Sequence, residues 1–207
     1  LAPHQFNNKS YWVENDQSQL KQNLKRMLYE TTWRKIDFEC AESVEQSETK
    51  WLILSDRNGL GKKLSQSLND KNIKNQTFYN NELETIKQVL KIIKTKELKV
   101  VCLWSLDIDK NINYIINQII GLIKTIAKDK TINLKTWFVT KQSQNVTEED
   151  KIASVSQAMI WGLGRVVSLE HSRLWGGLID LPELIKEENY TQVISIIRSM
   201  HPEDHLA

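Results

Sequence analysis

The sequence predicts an α/β protein built on an open, mostly parallel sheet with helices on both faces. From Trp51 onward, short apolar runs alternate with amphipathic segments, which is the pattern of successive βα units. Only 7 Gly and 3 Pro in 207 residues argue against an all-β or loop-rich chain. Because consecutive parallel strands need helical crossovers, this order predicts a truncated, Rossmann-like sheet.

The predicted elements from Trp51 onward follow one another regularly along the chain. Apolar runs predict five strands, at Trp51–Leu54, Gln76–Tyr79, Val100–Trp104, Thr136–Val139 and Gly177–Leu181. Apolar residues at helical spacing predict helices after each of them, at Asn58–Asn69, Glu82–Lys94, Asn111–Lys128, Glu148–Ser168 and Tyr190–Met200. No internal repeat interrupts this order, so one layered domain is expected.

The two ends of the chain differ from this pattern. Residues 1–15 lack a period and predict an extended arm, and residues 16–28 carry leucines at helical spacing and predict a helical connector. Tyr29–Phe38 alternates aromatic and β-branched residues with polar ones, which favours a strand. We therefore expect a structured domain over residues 29–200 and a solvated tail over residues 201–207.

Composition excludes several classes of protein. The 28 Lys and Arg against 26 Asp and Glu are mixed along the chain, so no basic stripe indicates a nucleic-acid partner. The most apolar stretch, Ile112–Ala127, is interrupted by polar residues and is too short to span a membrane. Cys40 and Cys102 are too few to form a disulfide framework. Together with the lack of a signal peptide, this favours a reducing, cytoplasmic location.

No metal site is predicted from the histidines. His201 and His205 have a spacing that could place them on one helix face. Pro202 interrupts that segment, however, and no third ligand cluster accompanies it. A solvated position is the expected one for both.

The turn after the first predicted strand is where a Rossmann-like fold binds a dinucleotide. It retains only Gly59 and Gly61 of the G-x-G-x-x-G pattern, because Leu64 occupies the third glycine position. Asp56 also places a carboxylate near where phosphate would bind. We predict a degenerate turn without cofactor. A small nucleotide-binding oxidoreductase that uses residues Asp56 to Gly61 is the alternative.

The proton donor of a short-chain reductase is missing as well. That chemistry needs a Tyr with a Lys or Asn partner, so that the Tyr can protonate the forming alkoxide. No Tyr-x-x-x-Lys or Tyr-x-x-x-Asn lies on a late predicted helix, and the spacing from Tyr190 to Ile194 fails this test. We therefore predict no catalytic residues in this chain.

One block of sequence resembles a known family. The block WGLGRVVSLEH, from Trp161, followed by LWGGLIDLP, ending at Pro182, resembles the structural subdomain of the ketoreductase in modular type I polyketide synthases. LWSLD at Leu103–Asp107 and WFVT at Trp137–Thr140 are similar to family landmarks in the same order. Residues 4–14 are similar to the end of the linker that follows an acyltransferase, with His4 in place of a Tyr.

The resemblance implies a non-catalytic half that supports an NADPH-dependent reductase of β-ketoacyl groups. It implies no cofactor in this chain, NADPH in a downstream catalytic subdomain and phosphopantetheine on the carrier protein of the parent synthase. The implied partners are that subdomain, the carrier protein and, through residues 1–15, the neighbouring ketosynthase and acyltransferase region. The chain alone is then not an enzyme, although its parent is a transferase and oxidoreductase. An architectural module of an inactive ketoreductase is a further alternative.

Six residues are candidate contacts to the second subdomain: Trp161, Gly162, Gly164, Arg165, Glu170 and Asp180. The two glycines permit a close helix approach, and Asp180 can cap backbone donors at a strand end. Arg165 and Glu170 can fix the helix by a charge-assisted hydrogen bond or pair across a domain boundary. Ordinary packing or solvation is the alternative for each.

Overall fold

A computed structural model describes residues 32–36, 49–79, 98–128, 130, 134–147, 154–199 and 203–207. The chain divides into two compact units, Leu1–Ile36 and Asp37–Ala207. In the first unit, residues 32–36 form neither strand nor helix, so the strand predicted over Tyr29–Phe38 is wrong at these positions. Alternation of aromatic and polar residues favours an extended backbone, and a segment outside a sheet can adopt that backbone as well. The arm, the connector and the helix predicted at Glu82–Lys94 lie outside the described residues.

Six strands of the second unit form one parallel sheet. They are β1 (Lys50–Ser55), β2 (Asn75–Tyr79), β3 (Leu98–Cys102), β4 (Leu134–Lys141), β5 (Trp175–Leu181) and β6 (His205–Leu206). The order across the sheet is β2-β1-β3-β4-β5-β6, and every pair is parallel. The chain therefore reverses its direction of winding between β1 and β3, which is the switch point at which such sheets form a binding crevice.

Four helices cover the sheet in the described residues: α1 (Leu60–Asp70), α2 (Ile112–Ala127), α3 (Val155–Glu170) and α4 (Glu187–Ser199). Ile53 and Val139 point to the face that packs against Leu64 of α1 and Val193 of α4. Alternate strand residues point the other way, where Leu178 meets α3 at Gly164. The parallel sheet with helices on both faces confirms the predicted Rossmann-like fold.

Strand β6 occupies part of the segment expected to be solvated. His205 and Leu206 pair with Leu178 and Ile179 of β5, and the Leu178 N–H donates to the Asp204 carbonyl at 2.7 Å. The solvated position predicted for His205 is therefore wrong. Pro202 rules out a helix through this segment, but it does not prevent a short edge strand three residues later. The domain boundaries, including residues 201–207 as a lead into a further subdomain, stay a prediction.

The thiol of Cys102 lies in the centre of the sheet. Cys102 is completely buried in β3, and this burial raises the pKa of its thiol to about 12. Because the thiolate is the reactive form, we expect a Cys40→Ser chain to react with a thiol reagent at pH 8 at least about a hundredfold more slowly when folded than in urea. Equal rates in the two conditions would show that Cys102 is accessible.

Candidate functional site

The turn after β1 folds around the carboxylate of Asp56. This side chain is fully buried, and its Oδ1 accepts the N–H of Gly61 at 2.8 Å. Its Oδ2 accepts the N–H groups of Asn58 at 2.9 Å and Leu60 at 3.3 Å. Leu60 and Gly61 begin α1, so the carboxylate lies at the positive end of the helix dipole.

A second carboxylate reaches the same turn from the neighbouring strand. Asp107 is buried in the 3-10 turn that follows β3, and its Oδ2 accepts the N–H of Arg57 at 3.0 Å. Four backbone donors of residues 57–61 thus point at two carboxylates of the chain itself. These donors lie at the switch point, where a dinucleotide phosphate would otherwise accept them.

The two glycines of the turn are explained by the packing of the chain. Gly59 has a φ of 94°, in the left-handed region that a residue with a side chain rarely adopts. Gly61 lies against Ser55, so that a Cβ on Gly61 would be 2.7 Å from the Ser55 Cβ. Both glycines are therefore required by the turn itself, without reference to a bound pyrophosphate.

A second buried network joins the carboxyl ends of β4 and β5. Asp180 accepts hydrogen bonds from Thr140 Oγ1 at 2.7 Å, from the Ser143 N–H at 2.9 Å and from the Gln144 N–H at 3.0 Å. The Trp161 indole N–H donates to Thr140 Oγ1 at 2.9 Å. The carboxylate therefore holds the loop after β4 and, through Thr140, connects the sheet to α3.

A third cluster anchors the edge strand. The Trp175 indole N–H donates to Asp204 Oδ2 at 2.6 Å, and His205 Nδ1 lies 2.6 Å from Asp204 Oδ1. The His205 ring centroid is 5.6 Å from that of Trp161 and 5.9 Å from that of Trp175. Burial alone would raise the pKa of Asp204, but the hydrogen bonds from Trp175 and His205, with the charge of His205, lower it below its ordinary value.

The lowered pKa of Asp204 predicts a loss of stability in acid. A carboxyl group whose pKa is lower in the folded state stabilises the fold above its unfolded pKa of about 4 and loses that contribution as the pH falls through the folded value. We expect the free energy of unfolding to fall less steeply below pH 4 in Asp204→Asn than in the parent chain. Denaturant titrations between pH 2 and 6 measure this difference. Identical pH profiles would contradict the assigned hydrogen bonds.

The structure separates the six candidate contact residues into two groups. Three are buried and contact other parts of this chain: Trp161, Gly164 and Asp180. Three are exposed on α3: Gly162, Arg165 and Glu170. Arg165 and Glu170 are five positions apart, or about 140° around the helix axis, so they point in different directions. A role for these six residues at a subdomain boundary stays a prediction.

Sequence reasoning missed several members of these clusters. Asp107 contacts a turn 50 residues away, and no spacing pattern predicts such a pair. Thr140 lies just beyond the strand predicted at Thr136–Val139, Ser143 belongs to no predicted element, and Asp204 lies in the predicted tail. Within the described ranges, no three His, Cys, Asp or Glu side chains come together as metal ligands. Nor does any helix there have the length and apolar character needed to cross a membrane.

Comparison with known proteins shows which proteins this chain is similar to. No protein-family model matches the chain. It is 36% identical over 80 residues to the pikromycin polyketide synthase component PikAII of Streptomyces venezuelae. The matched residues are 39% of this chain and 2% of PikAII. It is 37% identical over 79 residues to the polyketide synthase GfsA of Streptomyces halstedii. The matched residues are 38% of this chain and 1% of GfsA. The relatives of this chain are modular polyketide synthases.

Solved structures of polyketide synthase ketoreductases share the fold. A C2-type ketoreductase from a modular polyketide synthase superposes with a TM-score of 0.68 and 21% identity, over 84% of this chain and 39% of that one. The first ketoreductase of the tylosin polyketide synthase superposes with a TM-score of 0.58 and 20% sequence identity, over 73% of this chain and 34% of that one. The resemblance to a polyketide synthase ketoreductase is therefore confirmed, and the chain spans less than half of those ketoreductases.

Proposed function

We propose that this chain is the non-catalytic structural half of a ketoreductase in a modular polyketide synthase, and that it stabilises the catalytic half. NADPH and the Tyr proton donor then belong to that half, and phosphopantetheine belongs to the carrier protein that delivers the β-ketoacyl group. Residues 1–15 would lead from the ketosynthase and acyltransferase region. The observation that carries the proposal is an apolar face on the outer side of α3.

This outer face consists of four side chains, whose exposed fractions are 77% for Val155, 49% for Met159, 47% for Val166 and 85% for Leu169. With Gly162 they occupy positions i, i+4, i+7, i+11 and i+14, which lie along one side of a helix. The opposite side of α3 is buried against the sheet. A helix that is apolar on two sides is typical of one that is covered on both, and a contiguous exposed stripe indicates an interaction surface.

Gly162 lies in the middle of this face. A Cβ added to Gly162 meets no atom within 4 Å, so the described part of the chain gives no packing reason for a glycine. Glycine inside a helix destabilises it by about 0.5–1 kcal/mol relative to alanine. A partner whose backbone approaches α3 closely would account for it. Arg165 and Glu170 are exposed on the same helix, and charged residues suit the rim of such an interface.

The remainder of the ketoreductase is the occupant that these observations favour. The two solved ketoreductases are matched over only 39% and 34% of their chains, so most of each lies outside the part that this chain resembles. A partner on the same polypeptide is present at high effective concentration, so that a stripe of a few apolar side chains is enough for docking. The filled turn after β1 leaves the nucleotide to that partner.

A matched pair of leucine variants tests the docking face. Leu169 is 85% exposed on α3 and Leu184 is 76% exposed in the loop after β5, so either can become Asp without disturbing the core. In this chain joined to the reductase half of its parent synthase, we expect Leu169→Asp to lower the melting temperature and ketone reduction, because it places a charge in an apolar interface. Leu184→Asp should change neither.

The same two variants of the 207-residue chain alone supply the control for folding. Both should melt close to the parent temperature, because each replaced side chain is exposed there. Equal effects of Leu169→Asp and Leu184→Asp in the longer protein would contradict docking through α3.

A further inference from the structure

We infer that the end of the sheet at which its first four strands begin is a binding surface for an acidic α-helix outside this chain. We call this surface the basic edge. It consists of lysines that begin a strand or lie in the described loops before β2 and β4: Lys50, Lys71, Lys74, Lys128, Lys130 and Lys135. The basic edge is at the opposite end of the sheet from the turn after β1, so the inference goes beyond the proposed function and assigns a second surface.

The parallel topology gathers these lysines from distant parts of the chain. Parallel strands all begin at one end of a sheet, and the helices that connect them run back and end there. Lys71 and Lys128 follow the last residues of α1 and α2, whereas Lys50 and Lys135 lie at the starts of β1 and β4. The sequence itself has no basic run, because only the fold brings these charges together.

Acidic side chains do not balance the basic edge. No Asp or Glu occurs in the described parts of these strand starts and loops, which are residues 49–50, 71–75, 98–99, 128, 130 and 134–135. Asp70, the last residue of α1, is the nearest described carboxylate along the chain. The sequence adds Lys96, Glu48, Glu97 and Asp129 at neighbouring positions outside the described residues. Lysines still outnumber carboxylates when these residues are included.

Two pairs of lysines on neighbouring strands make this end of the sheet repel itself. Lys99 of β3 is directly opposite Lys135 of β4. Lys50 and Lys74 also lie side by side, because the N–H of Trp51 donates to the Lys74 carbonyl at 2.9 Å. Like charges directly opposite each other destabilise a sheet. An acidic partner would supply the counter-charge that offsets this repulsion.

The pair of Lys99 and Lys135 is partly used by the chain itself. Lys99 is buried, and its Nζ lies 5.6 Å from the centre of the Trp51 ring and donates to the Arg198 carbonyl at 3.5 Å. Lys135 Nζ donates to the Ser172 carbonyl at 3.2 Å. Neutral carbonyl groups do not cancel the charge of an ammonium group, so both lysines still add to the positive potential of the basic edge.

Helix ends account for only part of the basic edge. Cations are favourable at the C-terminal end of a helix, which explains Lys71 and Lys128. A sheet has only a small net dipole, so the same argument does not extend to lysines at the starts of strands. The exposed side chains of Lys50 and Lys74 therefore need a different explanation, and an acidic partner provides one.

The spacing and composition of the basic edge favour a helix as the partner. Neighbouring strands are about 4.8 Å apart, and side chains three or four positions apart on a helix are about 5–6 Å apart. Carboxylates at those positions match lysines on successive strands. The described residues of the basic edge include no exposed aromatic side chain on which a base could stack, and no exposed apolar side chain that could enter a lipid surface.

Binding of a glutamate-rich helical peptide tests the inference. The labelled peptide carries Glu at positions i, i+4, i+7 and i+11, and a second peptide carries Gln at the same positions. Fluorescence anisotropy measures binding to the 207-residue chain in about 20 mM and about 200 mM NaCl, between which the Debye length falls from about 20 Å to about 7 Å. We expect only the Glu peptide to bind, and we expect the higher salt concentration to weaken it.

Two double variants with the same net charge locate the binding surface. Lys50→Gln/Lys74→Gln neutralises the exposed pair of the basic edge. Lys62→Gln/Lys63→Gln neutralises two exposed lysines in the first turn of α1, at the other end of the sheet. At low salt the first variant should raise the Kd of the Glu peptide about fivefold, because each exposed charge pair contributes modestly. The second should leave the Kd unchanged.

Each result decides for or against the acidic helix. Equal weakening by both double variants, equal binding of the Glu and Gln peptides, or no binding of either would overturn it. Tighter binding of a single-stranded oligonucleotide or of phosphatidylserine vesicles at the basic edge would also overturn it, in favour of another polyanion. Lys128→Gln/Lys130→Gln should weaken the Glu peptide as well, and it decides the question if Lys50→Gln/Lys74→Gln does not fold.

The basic edge and the docking face on α3 are tested separately. Leu169→Asp changes a side chain of α3 and should leave binding of the Glu peptide unchanged. Failure of the peptide to bind would overturn the basic edge and leave the proposed function intact. Failure of Leu169→Asp to affect the longer protein would overturn docking through α3 and leave the basic edge intact.

Discussion

Asp180→Ala is expected to lower the free energy of unfolding by about 3 kcal/mol or more. The carboxylate is buried and accepts hydrogen bonds from Thr140, Ser143 and Gln144. Its removal leaves these donors unsatisfied inside the protein, at about 1–3 kcal/mol for each buried group. The Thr140 hydroxyl, which also accepts the Trp161 indole N–H, loses its orientation in the same step. Urea titration of the 207-residue chain measures the effect.

A nearby carboxylate provides the control for this prediction. Glu183 is exposed in the loop that follows β5, so Glu183→Ala should change the free energy of unfolding by no more than about 0.5 kcal/mol. Asp180→Asn keeps one acceptor oxygen and should fall between the two. If Asp180→Ala and Glu183→Ala were equally stable, the buried network would have no structural importance.

Gly176→Ala is expected to cost about 3 kcal/mol, because the space beside Gly176 is taken by the Trp137 indole. A Cβ on Gly176 would lie 2.6 Å from two atoms of that ring and 2.9 Å from the carbonyl oxygen of Thr136. The backbone oxygen belongs to β4, which pairs with β5, so relief of this contact requires displacement of one of two hydrogen-bonded strands. Overpacking in such a place costs about 1–3 kcal/mol or more.

Gly162→Ala is the matched control, and it is expected to change the free energy of unfolding in the opposite direction. The same change at Gly162 meets no atom within 4 Å, and it should stabilise the isolated chain by about 0.5–1 kcal/mol through helix propensity. Thermal or urea unfolding of the two variants therefore gives shifts in opposite directions. A stable Gly176→Ala would mean that Trp137 does not lie against β5.

Sequence patterns were sufficient to predict the strands and helices that form the layers of this fold, but they did not predict the contacts between distant residues. Strands such as β1 and β4 were predictable because their apolar runs are buried on both faces of a parallel sheet. Residues 32–36 show the reverse case, in which alternation was present but no strand formed. Strand β6 was missed because two residues at a sheet edge leave no periodic signal.

For the candidate site as well, the sequence predicted local features but not the contacts between distant residues. The weakness of the glycine pattern and the misplaced carboxylate of Asp56 could be read from the sequence, since both are local. The direction of that carboxylate into α1 depends on the fold of the turn, and the contact of Asp107 with Arg57 depends on the neighbouring position of β1 and β3. The burial of Trp161 likewise depends on Thr140 and His205, which come from two other strands.

In the proposed function, this chain supports reduction without binding the reductant. The decisive experiment is a titration of NADPH against the 207-residue chain alone and against the same chain joined to the reductase half of the proposed parent synthase. Reduction of a small ketone is measured for both. We predict neither binding nor turnover by the chain alone, and both by the longer protein. Absence of turnover in the longer protein would favour an architectural role in an inactive reductase. Micromolar binding of NADPH by the chain alone would contradict the claim and identify the turn from Asp56 to Gly61 as a working nucleotide site.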